Sequence, residues 1–185
     1  MRQIQMTEVE TEISKMINER REDILYCITD DVYIFNGTAG NITDVAKQKY
    51  KIFELGQSGG TLVFAPGNIG IGMLQKDYGQ KAQQLVRSLF NMLILHGLNV
   101  GWKDNDIIVE DNYKVISYGE LQLSNGYVFT TIQINLYTTK ELVEEVCTKP
   151  ILKIPRPLSD YGIDTKLMEL WLIQCVHALN NISGH

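Results

Sequence analysis

Only three cysteines and four prolines occur in the 185 residues, and nowhere do lysine and arginine gather into a run. Cys27, Cys147 and Cys175 are odd in number and share no C-x-x-C spacing. That excludes a disulfide framework and a cysteine-built zinc site, and reduced thiols imply a cytoplasmic setting. The formal charge is −5. Nucleic-acid affinity comes from neutralising phosphates with Lys and Arg, so nucleic acid is not an expected partner. No apolar run approaches the roughly 20 residues needed to cross a bilayer, and Met1 to Glu12 carries no apolar signal segment, so no membrane association is expected.

What remains is ordinary globular material, 44% apolar and 21% charged. One domain over residues 1–185 is expected, because domains run to roughly 100–200 residues. A chain of this size buries about 70% of its unfolded surface without staples.

Periodicity divides the chain. Thr7-Glu8-Val9-Glu10 reads as a capping box, and Val9, Ile13, Met16 and Ile17 recur at helical spacing, so a helix is predicted from about Thr7 to Arg20. Ile24 to Ile28 and Val32 to Phe35 are β-rich runs around Thr29-Asp30-Asp31, which predicts a hairpin. A short helix is expected through Val45, then strands at Tyr50 to Leu55, Thr61 to Phe64 and Ile69 to Leu74. The longest helical pattern runs from about Tyr78 to His96, stopped by Gly97. Further strands are expected at Val100 to Trp102, Asp106 to Val109, Lys114 to Tyr118, Glu120 to Leu123 and Tyr127 to Leu136, and helices at about Thr139 to Cys147 and Thr165 to Leu179. The order implies an α+β fold with a mixed, mostly antiparallel sheet flanked by helices.

Two segments carry candidate chemistry. Gly56-Gln57-Ser58-Gly59-Gly60-Thr61 lies between two predicted strands, where glycines let backbone N–H groups approach an anion. It is no P-loop, since no Lys-Ser/Thr follows, and by itself it also reads as a tight turn. The second is Lys103-Asp104-Asn105-Asp106 before an apolar strand, with Lys114 opening the next. A turn at Asp111-Asn112 would bring Asn105, Asp106 and Lys114 to neighbouring positions, a set that suits an acyl phosphate, although a solvated turn with an exposed lysine fits the spacing too.

Lys103-Asp104-Asn105-Asp106-Ile107 with Lys114-Val115 resembles the K-W-P-N-D and K-V blocks of biotin-protein ligases and the N-D and K-V-S-G blocks of lipoate-protein ligases. Ser58 through Asn68 resembles the lipoate ligase run S-G-G-G-A-V-x-H-D-x-G-N, and Val32 to Asn41 resembles its preceding strand and loop. The blocks fall in family order over nearly the whole chain. The resemblance implies a divergent member of the lipoate/biotin protein ligase catalytic-domain family, without the small C-terminal accessory domain of some lipoate ligases. It implies activation of lipoate or octanoate with ATP and magnesium as an acyl-adenylate, then transfer to a lysine of a carrier domain. Lys114 would stabilise charge at the acyl carbonyl and phosphate, and Asn105 and Asp106 would face the adenylate, Asp106 also helping to hold magnesium. Ser58, Gly59, Gly60 and Thr61 would wrap the acyl chain, with Asn68, Lys103 and Gly119 completing the binding set.

Departures from the pattern matter. Leu55 and Gly56 stand where the family has Arg, and Ala65 and Phe129 where it has His. A missing arginine fork weakens the case for ATP. Two further readings follow: an octanoyl transferase of the same fold that needs no ATP, and a non-catalytic ligand-binding or scaffold descendant. Thr61 through Asn68 resembles the transferase's T-x-H-G-P-G-Q turn, and Cys147 is the candidate nucleophile, although a cysteine at a helix end also reads as packing. Lys149, Lys153 and Arg156 form a mild basic cluster, read as solvated or as meeting an acidic carrier domain.

Overall fold

The computed structural model describes residues 1–54, 60–76, 80–151 and 153–182. A 3-10 turn, Met6–Glu8, runs directly into α1 (Val9–Glu19). The Gln5 backbone N–H donates to the Glu8 carboxylate at 2.9 Å. Gln5 is extended (φ −80, ψ 152), as a residue just outside a helix should be, so the capping pair is Gln5 and Glu8 rather than Thr7 and Glu10.

Two sheets follow, and the mixed, mostly antiparallel α+β architecture is the one predicted. The strands are β1 (Arg2–Gln3), β2 (Ile24–Ile28), β3 (Tyr33–Asn36), β4 (Lys51–Glu54), β5 (Thr61–Phe64), β6 (Ile69–Gln75), β7 (Val100–Lys103), β8 (Asp106–Val109), β9 (Tyr113–Gln122), β10 (Val128–Ile134) and β11 (Ile154–Pro155). The large sheet has the order β1-β2-β6-β10-β9-β8-β7, with β11 beside the start of β9, and the small one the order β4-β3-β5. The expected hairpin of β2 and β3 does not form. β2 pairs with β6 and β3 with β4 and β5, so Thr29 to Val32 carries the chain between sheets. Its polar groups are satisfied on the way: Thr29 N–H donates to the Asn68 carbonyl at 2.9 Å, and Tyr33 Oη donates to Asp30 at 2.7 Å.

Helices α3 (Gln80–Leu95) and α5 (Thr165–Ile182) cover one face of the large sheet. Ala82, Leu85, Val86, Leu89 and Leu93 are buried there, each large side chain contributing about 1.5–3 kcal/mol. The opposite face meets α1 and the small sheet through Met16, Leu25, Phe35, Phe64 and Phe129. Beyond the small sheet, Ile34, Ala46, Val63 and Val146 pack α2 (Asp44–Lys49) and α4 (Lys140–Val146). Helix α2 starts where the Thr43 side chain accepts from Ala46 N–H at 3.1 Å.

Asn68 fastens the two sheets where they meet. It is fully buried; its Oδ1 accepts from Leu136 N–H at 3.0 Å and Tyr137 N–H at 2.7 Å, and its Nδ2 donates to Thr138 Oγ1 at 2.6 Å. Thr138 Oγ1 donates onward to the Val63 carbonyl at 2.9 Å. Gly67 before it has φ 87, and a Cβ there would lie 2.6 Å from the Tyr137 ring, so only glycine makes this turn. Asn68→Ala strands two buried N–H donors and is expected to cost about 3 kcal/mol in urea unfolding. A loss under about 1 kcal/mol would contradict this bracket.

Candidate functional site

In β9, one extra residue decides which way the lysine points. Asp106 pairs with Ser117 and Ile107 with Ile116, but Ile108 pairs with Lys114, leaving Val115 unmatched. Strict alternation would place Lys114 on the side of Ile116, under α3 and α5. The bulge resets the parity, so Lys114 and Ser117, three positions apart, both line the cleft between the sheets. The Val115 carbonyl is satisfied by Asn135 N–H at 2.8 Å. β11 pairs with the same stretch, Pro155 opposite Lys114.

The cleft has two lobes that share Gly60, Thr61, Asp106, Lys114, Ser117 and Lys153. One, about 310 Å³, runs under the segment after α4 and is lined also by Asn135, Thr138, Cys147 and Lys149. The other, about 570 Å³, opens toward Asn105, Gly119, Glu120 and Thr131. Gln133 closes the back by donating to the Val63 carbonyl at 2.5 Å.

Lys114 is half-buried, and among the described residues its ammonium has no ion-pair or hydrogen-bond partner. Burial pushes its pKa down, partly offset by the negative charge of Asp106. Asp106 is itself bound to Lys153 at 2.7 Å. Lys153 also meets Asp104 at 2.8 Å and donates to the Lys103 carbonyl at 2.9 Å. Burial opposes the Lys153 charge, but the two carboxylates outweigh it and raise its pKa. With Asp106 already neutralised by a lysine, its carboxylate fits magnesium poorly, contrary to the role the resemblance implied. Among the described residues no three His, Cys, Asp or Glu gather into a metal site, and no arginine lines either lobe.

Cys147 caps the end of α4 and faces the first lobe, half-buried. Burial raises its pKa, while the Thr61 hydroxyl and the Lys114 charge pull it down. The thiol and the amine are therefore electrostatic neighbours in one cavity.

Of the residues expected at the site, Lys114, Asp106, Gly60 and Thr61 line both lobes, and Asn105 and Gly119 line the second. Asn105 is exposed at the rim, its carbonyl accepting from Tyr118 N–H at 3.0 Å. Two do not join them. The Lys103 side chain is exposed and lines neither lobe; only its carbonyl takes part, through Lys153. Asn68 lies behind Thr138, its Oδ1 taken up by two backbone N–H groups and its Nδ2 by the Thr138 hydroxyl. Ser58 and Gly59, with Leu55 and Gly56, lie outside the described residues. The basic cluster also divides: Lys149 is exposed at the cavity mouth, whereas Arg156, partly exposed, bonds Glu110 at 2.7 Å and lies over the Tyr113 and Tyr161 rings. Sequence reasoning named Lys153 only within a basic cluster and missed its tie to Asp106, which lies 47 residues away, beyond any local spacing signal.

This arrangement of two sheets and cleft is the catalytic fold of lipoate- and biotin-protein ligases, in a divergent form. The chain superposes on the bi-partite lipoate protein ligase from Thermoplasma acidophilum with a TM-score of 0.77 and 10% identity, over 97% of this chain and 82% of that one. P. falciparum LipL1, solved in complex with lipoate, gives 0.78 and 12%, covering 100% of this chain and 63% of that one. A lipoate-protein ligase A bound with ATP gives 0.75 and 12%, covering 97% and 83%. No family model matches the sequence, and no curated protein matches it significantly. Among the described residues no helix is long and apolar enough to cross a membrane.

The buried amine has a testable consequence. A folded-state pKa below the ordinary 10.5 means that the unfolded chain holds this proton more tightly, so the Lys114 contribution to stability rises with pH across the interval from its lowered pKa up to 10.5. Lys114→Met should melt higher than the parent at neutral pH, with the gain shrinking as pH climbs toward that limit. A variant no more stable than the parent at neutral pH would contradict the burial.

Proposed function

We propose that the chain is an acyltransferase of the lipoate-ligase type, which loads an octanoyl- or lipoyl-type acyl group onto a lysine of a carrier-domain partner. One observation carries this reading: the Cys147 thiol and the Lys114 amine, which has no ion-pair partner among the described residues, share a cavity, each altering the other's proton affinity. Burial lowers the pKa of Lys114, which makes its amine more readily available as a base.

In this reading neutral Lys114 takes the Cys147 proton as the sulfur attacks the carbonyl carbon of a donor thioester. The bond to the donor sulfur breaks, and that sulfur leaves with the proton as a free thiol. The acceptor lysine amine then attacks the Cys147 thioester, forming the amide and regenerating the thiol. While charge develops on the acyl oxygen, the Lys114 ammonium offsets it. Asp106, held by Lys153, keeps the Lys114 pKa from falling further. Gly60, Thr61, Asn105 and Gly119 flank the acyl group. The chemistry requires Cys147 reduced, as in a cytoplasmic protein.

A second reading, in which the free acid is activated by ATP, is favoured by the second lobe, about 570 Å³ beside Lys114, a volume within the range of small-molecule sites. The similarity to a lipoate-protein ligase A bound with ATP supports it, and the lack of arginine among the described lining residues counts against it.

Incubation with octanoyl thioester should add one octanoyl mass at Cys147, and Cys147→Ala should abolish it. Lys114→Ala should slow it roughly a hundred- to a thousand-fold. Release of pyrophosphate from ATP and octanoate or lipoate, undiminished in Cys147→Ala, would replace this reading by the second.

A further inference from the structure

Lys153 reaches the cleft from the segment between α4 and β11, and all three donors of its ammonium are engaged there. It donates to Asp106 at 2.7 Å, to Asp104 at 2.8 Å and to the Lys103 carbonyl at 2.9 Å. A pair of this kind contributes little in open solvent, but the Lys153 and Asp106 side chains are only 17% and 15% exposed. A carboxylate so far from water needs a cation beside it.

Lys114 is the cation best placed to replace Lys153, since it lines both lobes together with Asp106. Asp106 pairs with Ser117, and Lys114 stands on the same cleft face three positions earlier in β9. Diagonal neighbours across a strand pair stand about 7–8 Å apart, a gap that a lysine side chain spans. By sheet geometry alone, Asp106 and Lys114 would form an ion pair. Among the described residues Asp106 pairs with Lys153 instead, and Lys114 forms no ion pair. The other titratable groups of the two lobes do not take that place. Cys147 faces Lys114 from the end of α4, Lys149 is exposed at the mouth of the first lobe, and Tyr118 and Glu120 line only the second.

We infer that Lys153 is a positioning residue: it holds the Asp106 carboxylate in a bridge with Asp104 and so withholds it from Lys114. This deepens the acyltransferase reading, on which the role of the amine as base rests. Two effects of Lys153 have the same sign. It denies Lys114 a direct counter-charge, and its own positive charge opposes the Lys114 proton. Both favour the neutral amine that takes the thiol proton.

Trace acetylation of Lys114 by acetic anhydride, read by mass spectrometry across pH, follows this amine without requiring turnover. Lys153→Met should carry the labelling midpoint to higher pH and slow labelling about tenfold at pH values below it. Lys153→Arg should keep the parent midpoint, and Asp106→Asn should lower it. Lys153→Gln serves the same purpose if Lys153→Met does not fold. Loss of Lys153 could also loosen the segment and wet the amine, and a double variant separates the two causes. With Lys153→Met and Asp106→Asn combined, the midpoint should return to the parent value or below, whereas a wetted amine would keep the upward shift. An unmoved midpoint in Lys153→Met, or an upward shift that survives in the double variant, overturns the inference. Acylation of Cys147 by an octanoyl thioester separates it from the reading beneath it. Midpoints that move as expected without acylation keep the positioning role and remove the transferase, whereas acylation with midpoints indifferent to Lys153 does the reverse.

Discussion

Strand β9 carries one residue more than the strand beside it, and the chemistry of the cleft depends on that surplus. With Val115 bulged out, Lys114 shares the cleft face with Ser117 and Asp106; in a regular ladder the amine would turn toward Ile116 and the α3–α5 core. An ammonium there would face Ile132 and Ile134 with no counter-charge, a burial too costly to keep. In the cleft the amine is desolvated enough to lose its proton more readily, yet it keeps the field of one carboxylate. The bulge therefore sets both the direction of the side chain and its acid–base character.

Near that amine, several charges are already committed. Lys153 neutralises Asp106 and Asp104, and Arg156 is occupied by Glu110 and two tyrosine rings. Among the described residues Lys114 has no ion-pair partner, which sets it apart from Lys153 and Arg156. The thiol completing the cavity arrives on α4, fixed by packing against the small sheet and by the bridge from Ile42 to Cys147. Asn68 and Thr138 keep the sheets at the separation this needs, so a residue that touches no ligand still governs the width of the cleft.

Much of the architecture was legible along the chain. The stripe of Leu85, Leu89 and Leu93, ended by Gly97 at φ 93, announces α3, and the run after Asp111-Asn112 announces the β8–β9 hairpin that brings Asp106 and Lys114 together. Local patterns could not reveal which strands pair. Tyr33, Ile34 and Phe35 are all buried because β3 is the middle of a separate sheet with cores on both sides, and nothing in the four apolar letters from Val32 to Phe35 distinguishes that from a hairpin partner. Asn68 matched a motif but serves the backbone, and Lys153 matched none but anchors Asp106; both roles are decided by contacts far apart in sequence. The Cys147 environment was equally hidden, since a thiol at a helix end reads as packing until Thr61 and Lys114 are found beside it.

The most direct measurement is a crystal structure of the protein after reaction with an octanoyl thioester. The account predicts continuous density from Cys147 Sγ to an acyl group whose carbonyl oxygen lies within hydrogen-bond reach of Lys114 Nζ. An unmodified Cys147 together with a Lys114 side chain directed into solvent, away from Ser117 and Asp106, would contradict it.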